Sequence, residues 1–237
     1  MPVPELNNEA VRDLYDEVGD AGIVRGFVWG GQAGCWQHAC CLMEMDKLIL
    51  ACFDKPDWVH ELLDILLQKK LQFVETMQGA KFDLVETGGG ASSSTLISPD
   101  LHRRFCMPYD RRLHRALHGL GFRITYHTCG GTRNIEEYIV QNECDVSETL
   151  APTTIGGNQE PWEFADKIDG RLGLIGGLDQ FSVLTHGTPE DVRRGVHELF
   201  QKVGQRGGYI CAASDHFFDS PPENLRVMGE AARECTY

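Results

Sequence analysis

Positive charge is scarce in this chain. Lysine and arginine together number 22 against 35 aspartates and glutamates, a formal charge of −13. Phosphate backbones are bound by basic stripes or patches, and none is visible, which argues against a nucleic-acid partner. The basic residues come in small groups such as Arg103-Arg104, Arg111-Arg112 and Arg193-Arg194, each fitting the solvated face of a helix. Long apolar runs are also lacking. The longest helical stretch, from Pro56 to about Met77, is interrupted by Asp57, His60, Glu61, Asp64 and Lys69, so it is too polar to span a bilayer. The opening Met-Pro-Val-Pro-Glu-Leu-Asn-Asn has neither the basic head nor the apolar core of a secretion signal. A cytoplasmic location is therefore expected.

Three further absences narrow the chemistry. Without secretory features, the nine cysteines do not read as a disulfide framework. Most are expected to be small core residues, with Cys40-Cys41 and Cys52 in apolar company. Gly88-Gly89-Gly90 is followed by Ala91-Ser92-Ser93-Ser94, so it matches neither a P-loop nor a dinucleotide fingerprint. No Gly-x-Ser-x-Gly elbow occurs, which argues against a serine hydrolase.

What is present is an alternation of short β-rich runs with amphipathic helices, the pattern of parallel βα units. Six strands are expected: Ile23–Trp29 leading into Gly30-Gly31, Phe82–Glu86, Phe122–His127, Asp145–Glu148, Leu172–Gly177 and Gly208–Ala212. Ser98-Pro99-Asp100 and Thr188-Pro189-Glu190 are helix starts with a hydroxyl N-cap and proline at the first position. The first of these helices should run to about Leu117 and the second to about Val203. Ser220-Pro221-Pro222 should open a last helix that carries Leu225 and Met228 inward. No linker or repeat divides residues 1–237, so a single domain is expected, near the length of about 250 residues usual for a (β/α)8 barrel. A closed barrel needs eight strands. Six leave two edges unpaired unless another subunit, such as a second copy in a homo-oligomer, covers them.

In parallel α/β folds the reactive groups gather at the carboxyl ends of the strands. Here those ends carry Glu86, His127, Cys129, Glu148, Asp179, Asp215 and His216. In an extended segment residues i and i+2 share a face, so His127 and Cys129 can aim together into a barrel mouth. Imidazole with thiolate suits Zn2+. The bland alternative is a core histidine beside a buried cysteine. Asp215 and His216 are candidates for a third ligand, with Cys211 nearer the strand interior. Glu86 is a further ligand or a general base. A turn-forming aspartate, a surface histidine and a capping glutamate are the structural alternatives. The glycine pairs at 88–90, 130–131, 156–157 and 176–177 suggest loops open to a bulky planar ligand.

His127-Thr128-Cys129-Gly130 resembles the His-x-Cys-Gly motif of cobalamin-dependent methyltransferases in the uroporphyrinogen decarboxylase superfamily. Further similar segments are Ile97-Ser98-Pro99 with Pro108-Tyr109, Gly176-Gly177-Leu178-Asp179, Gly187-Thr188-Pro189-Glu190, Gly207-Gly208-Tyr209-Ile210 and Pro221-Pro222-Glu223-Asn224-Leu225. They occur in the family's order and cover most of the chain from about Gly22. The resemblance implies a distorted (β/α)8 barrel of TIM type, shortened at its N-terminal side by the first two strands. It also implies Zn2+ on His127, Cys129 and a later ligand. Where the family places a further cysteine, this chain has Asp215 or His216. The implied reaction moves a methyl group between a corrinoid, supplied as substrate or on a carrier protein, and a thiol or similar small-molecule acceptor. Glu86 or Glu148 would then take the proton or orient the acceptor. Two alternatives stay open. One is metal-free decarboxylation of an acidic tetrapyrrole, for which Arg25, Arg123 and Arg133 are the few cations available. That reading lacks the Arg-rich opening motif of true uroporphyrinogen decarboxylases. The other is a non-catalytic fragment or a subunit that requires a partner.

Overall fold

The computed structural model describes residues 2–30 and 34–236. Gly31, the end of the first expected strand run, lies outside them. Helix α1 (Asn8–Val18) leads to β1 (Arg25–Phe27), then to helices α2 (Cys35–Leu42), α3 (Met45–Asp54) and α4 (Pro56–Thr76). Strand β2 (Leu84–Gly88) is followed by α5 (Pro99–Leu101), a π-turn at His102–Cys106 and α6 (Met107–Gly119). The chain continues through β3 (Ile124–His127), α7 (Glu136–Gln141), β4 (Val146–Thr149) and α8 (Pro161–Ile168). Strand β5 (Gly173–Leu178), α9 (Pro189–Lys202), β6 (Tyr209–Ala213) and α10 (Pro222–Glu234) complete it. Among the described residues, no helix is long and apolar enough to cross a membrane.

The six strands form one parallel sheet in sequence order, β1 to β6. Residues from every strand line a single cavity at its carboxyl end, so the sheet curls around that cavity as a barrel wall does. It does not close. Strands β1 and β6 each pair on one side only among the described residues.

Register decides which side chains meet in the middle. Phe27 pairs with Glu86 and Glu86 with Thr125. His127 pairs with Glu148, and Glu148 with Ile175. Because side chains alternate along a strand, Phe27, Glu86, His127, Glu148 and Ile175 share the inner face. Val85, Thr87, Ile124 and Tyr126 face the helices. There α4 presents Val59, Leu63, Leu67 and Val74, and α6 presents Leu113 and Leu117, all buried. Each such burial contributes roughly 1.5–3 kcal/mol, so these contacts hold the helices on the outside of the wall.

The caps explain where helices begin. Ser98 Oγ accepts from Leu101 N at 3.2 Å, and Thr188 Oγ1 accepts from Asp191 N at 3.2 Å. Two expectations differ from the structure. The helix expected from Ser98 to Leu117 is broken by the π-turn, which buries His102, Phe105 and Cys106. In α10 the buried positions are Asn224, Val227 and Ala231, whereas Leu225 is exposed and Met228 only half-buried. The reason is local chemistry. Ser220 Oγ pairs with Thr185 Oγ1 at 2.7 Å, and Asn224 donates to the Leu184 and Gly187 carbonyls at 3.0 and 2.9 Å. That polar anchor sets the rotation of the helix. All nine cysteines are free. Cys52 is buried as expected, but Cys41 is exposed.

Two glycines are required by the chain's own packing. Gly34 N donates to Gly88 O at 2.7 Å, and a Cβ on Gly34 would lie 2.5 Å from that oxygen. A Cβ on Gly176 would lie 1.8 Å from Thr149 O. At these two positions the space a side chain would need is filled by the chain's own backbone.

Candidate functional site

The cavity at the carboxyl ends of the strands has a volume of about 800 Å³. Phe27, Val28, Trp29, Phe73, Ile175, Ala212 and Ala213 form much of its wall. Its polar groups are Arg25, Glu86, His127, Glu148, Asp215 and His216. The strand pairing brings the first four into one buried cluster. The Arg25 guanidinium donates to both Glu86 and Glu148. His127 Nδ1 donates to Glu148 Oε1 at 2.7 Å and lies 3.7 Å from Glu86 Oε1.

The other ring nitrogen points toward sulfur. His127 Nε2 lies 2.7 Å from Cys129 Sγ, so the two residues do share a face. Asp215, just beyond the last strand, lines the same cavity as His127. Gly90 makes room for this arrangement, since a Cβ there would sit 3.3 Å from Cys129 Cβ. His216 is 71% exposed in its side chain, and its Nδ1 is bound to Asp215 Oδ1 at 2.9 Å.

Charge is stabilised here in spite of burial. Burial opposes a charged His127, but hydrogen bonds to Cys129 and Glu148 outweigh it and raise the ring to about 10. Burial pushes Glu148 up, yet His127 and Arg25 together hold it below the usual carboxylate range. Glu86 goes the other way. Its burial outweighs the attraction of Arg25 and His127 and raises its carboxyl. Asp215 is held low by His216 and Cys129 against the effect of burial.

Two donor sets could receive a cation. Oxygen and nitrogen atoms of Glu86, His127 and Glu148 lie within 4.8 Å of one another, but the Arg25 guanidinium already occupies the space between the carboxylates. A metal there would meet a fixed positive charge. On the far side of the ring, His127 Nε2 lies 2.7 Å from Cys129 Sγ, while Asp215 lines the cavity further along the wall. A histidine whose other nitrogen donates to a carboxylate is the usual support for a metal-binding imidazole. The pair His127 Nε2 and Cys129 Sγ stands clear of the Arg25 guanidinium and offers donors that zinc takes.

Of the residues singled out from the sequence, Glu86, His127, Cys129, Glu148 and Asp215 come together, and His216 stands at the rim. Asp179 caps the turn after β5, accepting from Phe181 N at 2.9 Å and Ser182 N at 2.7 Å. Cys211 pairs with Gly176 and so faces away from the cavity. The role of Arg25 as a bridge was not visible. Its signal was an arginine on the inner parity of a buried strand, but its two partners lie on strands 61 and 123 residues away.

An open βα barrel wall with a charged, His- and Cys-bearing cluster at its carboxyl end defines a class of (β/α)-barrel-type proteins with their site in the mouth of the wall. The uroporphyrinogen decarboxylase family model matches residues 6–235, and the chain belongs to that family. It is 26% identical over 189 residues to the methylcobamide:CoM methyltransferase MtbA of Methanosarcina mazei, covering 78% of this chain and 52% of that protein. It is 24% identical over 231 residues to the uroporphyrinogen decarboxylase of Xylella fastidiosa, covering 89% of this chain and 61% of the relative. A solved methyltransferase structure from Methanosarcina mazei superposes with a TM-score of 0.77 at 18% identity, covering 95% of this chain and 63% of the other. That likeness establishes the fold. The chain spans about half the length of the curated methyltransferase it matches.

Proposed function

We propose that this chain carries the acceptor site of a zinc-dependent methyltransferase that moves a methyl group between a corrinoid and a thiol or similar acceptor. The observation that supports this most is the 2.7 Å approach of His127 Nε2 to Cys129 Sγ, with His127 Nδ1 held by Glu148. His127, Cys129 and Asp215 would hold Zn2+, leaving a coordination position open. When bound, the metal would favour the anionic form of an acceptor thiol. Glu148, accepting from Nδ1, fixes the ring so that Nε2 faces Cys129. Arg25 holds both carboxylates in place. Glu148 is already committed to His127 and Arg25, whereas Glu86 is shared mainly with Arg25. Glu86 therefore takes the acceptor's proton. The acceptor sulfur forms its bond to the methyl carbon as the carbon–cobalt bond breaks, and the bonding pair stays with the corrinoid. The corrinoid arrives as substrate or on a separate carrier protein.

Decarboxylation of an acidic tetrapyrrole fits less well. A polycarboxylate needs free cations, and Arg25 is bound to two glutamates. Arg123 lines a separate depression at the other end of the sheet, with Asp83, Asp145 and Gly208. Arg133 is bound to Asn158 and Glu163. The direct test is transfer from methylcobalamin to a small thiol, followed by the cobalamin spectrum, using protein supplied with zinc. Thiol-dependent demethylation supports the proposal. Decarboxylation of uroporphyrinogen without metal would replace it.

A further inference from the structure

We infer that Lys70 is a positioning residue, whose buried ammonium holds the Trp29 and Gly30 backbone where it forms the cavity wall. Only the substrate side of this inference rests on the proposed methyl transfer. Strand β1 ends at Phe27, whose pairing with Glu86 is the last of that ladder. The next three residues, Val28, Trp29 and Gly30, line the cavity beyond the end of the strand. Their carbonyls need partners from outside the sheet. Lys70, on α4, is fully buried, and its Nζ donates to the carbonyl oxygens of Trp29 and Gly30 at 3.0 and 2.9 Å.

Packing alone does not call for a lysine here. An apolar side chain of equal length would fill the space without desolvating a charge. Burial pulls the ammonium down to about 8, opposed by Cys35 and Asp110. What Lys70 supplies is donors. Two further contacts fix the same stretch. The Trp29 ring meets the His38 ring edge-on, with centroids 5.6 Å apart. Gly30 has φ +96°, and a Cβ there would lie 2.6 Å from His38 Nδ1 and 3.1 Å from Lys70 Nζ. The backbone therefore lies directly against both side chains. The bonds of Lys70 do not involve Glu86, His127, Cys129 or Glu148, so loosening this wall should leave the charged cluster in place.

Lys70→Met keeps the length of the side chain and removes its donors. Hydrogen exchange followed by mass spectrometry should quicken about tenfold or more in the peptide containing residues 28–30, and stay within about twofold in peptides over β3 and β4. Gly30→Ala pushes the backbone off the same two side chains and should give the same local pattern. Equal acceleration throughout the chain, or none in that peptide, overturns the inference. In methyl transfer from methylcobalamin to a small thiol by zinc-loaded protein, Lys70→Met should raise KM for one substrate about tenfold and leave kcat within about twofold. An unchanged KM, whatever happens to kcat, would mean that Lys70 supports only the fold, and would also overturn it. If the parent transfers no methyl group, the proposed function falls, and the exchange measurement still decides whether Lys70 holds the wall.

Discussion

His127 and His114 are both buried, on opposite sides of the same sheet, and their surroundings drive them in opposite directions. His127, on the inner face, is raised to about 10 because hydrogen bonds to Cys129 and Glu148 outweigh its burial. His114, in the helix layer outside, is lowered to about 4 because burial wins. Its Nε2 meets Thr87 Oγ1 at 2.7 Å, and its Nδ1 meets the Asn142 carbonyl at 2.7 Å. His102 follows the outer pattern and is also lowered to about 4 by burial. Asp110 shows the same rule for an acid: burial raises it to about 7, although Tyr126 donates to it at 2.8 Å. The outer network is neutral and structural. The inner one keeps its charges by pairing them, which is the arrangement a site needs when charge must be available to a ligand.

If that contrast is right, breaking the inner pairing should do the most damage. Arg25→Leu leaves Glu86 and Glu148 buried without their shared cation. Stability at neutral pH should fall by roughly 2–4 kcal/mol in urea unfolding, less than for a fully buried pair because Arg25 is partly exposed. The loss should shrink at acid pH, where the carboxylates can take up protons.

The outer face should instead show the opposite pH dependence, through Asp110. The unfolded chain loses that proton near pH 4, whereas the folded chain keeps it until about 7. Stability from this group is therefore fully present at low pH and is lost as pH rises to about 7. Asp110→Asn should remove roughly 1–3 kcal/mol of that decline, read as the difference between variant and parent unfolding curves at pH 5 and pH 8. An unchanged difference across that range would mean that Asp110 is ionised in the fold.

Two smaller effects sharpen the comparison. Glu148→Gln keeps the shape but weakens the support of the His127 ring, and zinc affinity should drop about 10- to 100-fold in a competitive chelator titration. His114→Asn alters the outer histidine alone. It should leave zinc affinity within about twofold of the parent, whatever it costs in stability, because it shares no partner with the inner cluster.

Much of this division could be read in the sequence. All six strands were found within a few residues, because β-rich runs ending in glycine mark parallel strands well. The shared face of His127 and Cys129 followed from their two-residue spacing. Asp215 and His216, the two candidates for a further ligand, both line the cavity. What could not be read depends on long-range register. Arg25 meets Glu86 and Glu148 only because β1, β2, β3 and β4 align as they do, and no local pattern records that alignment. The inward residues of α10 were misplaced for a related reason: apolar spacing favoured Leu225 and Met228, but the buried amide of Asn224 fixes the rotation. Of the glycines read as room for a ligand, Gly88, Gly157 and Gly176 stand against backbone oxygens instead.

The account rests on the inner imidazole and thiol acting together on a cation. Metal analysis of the purified protein after zinc loading and desalting tests this directly, with His127→Ala/Cys129→Ala as the comparison. The account predicts close to one zinc per parent chain and almost none in the folded double variant. A parent that retains no zinc, or a double variant that retains as much as the parent, would contradict it.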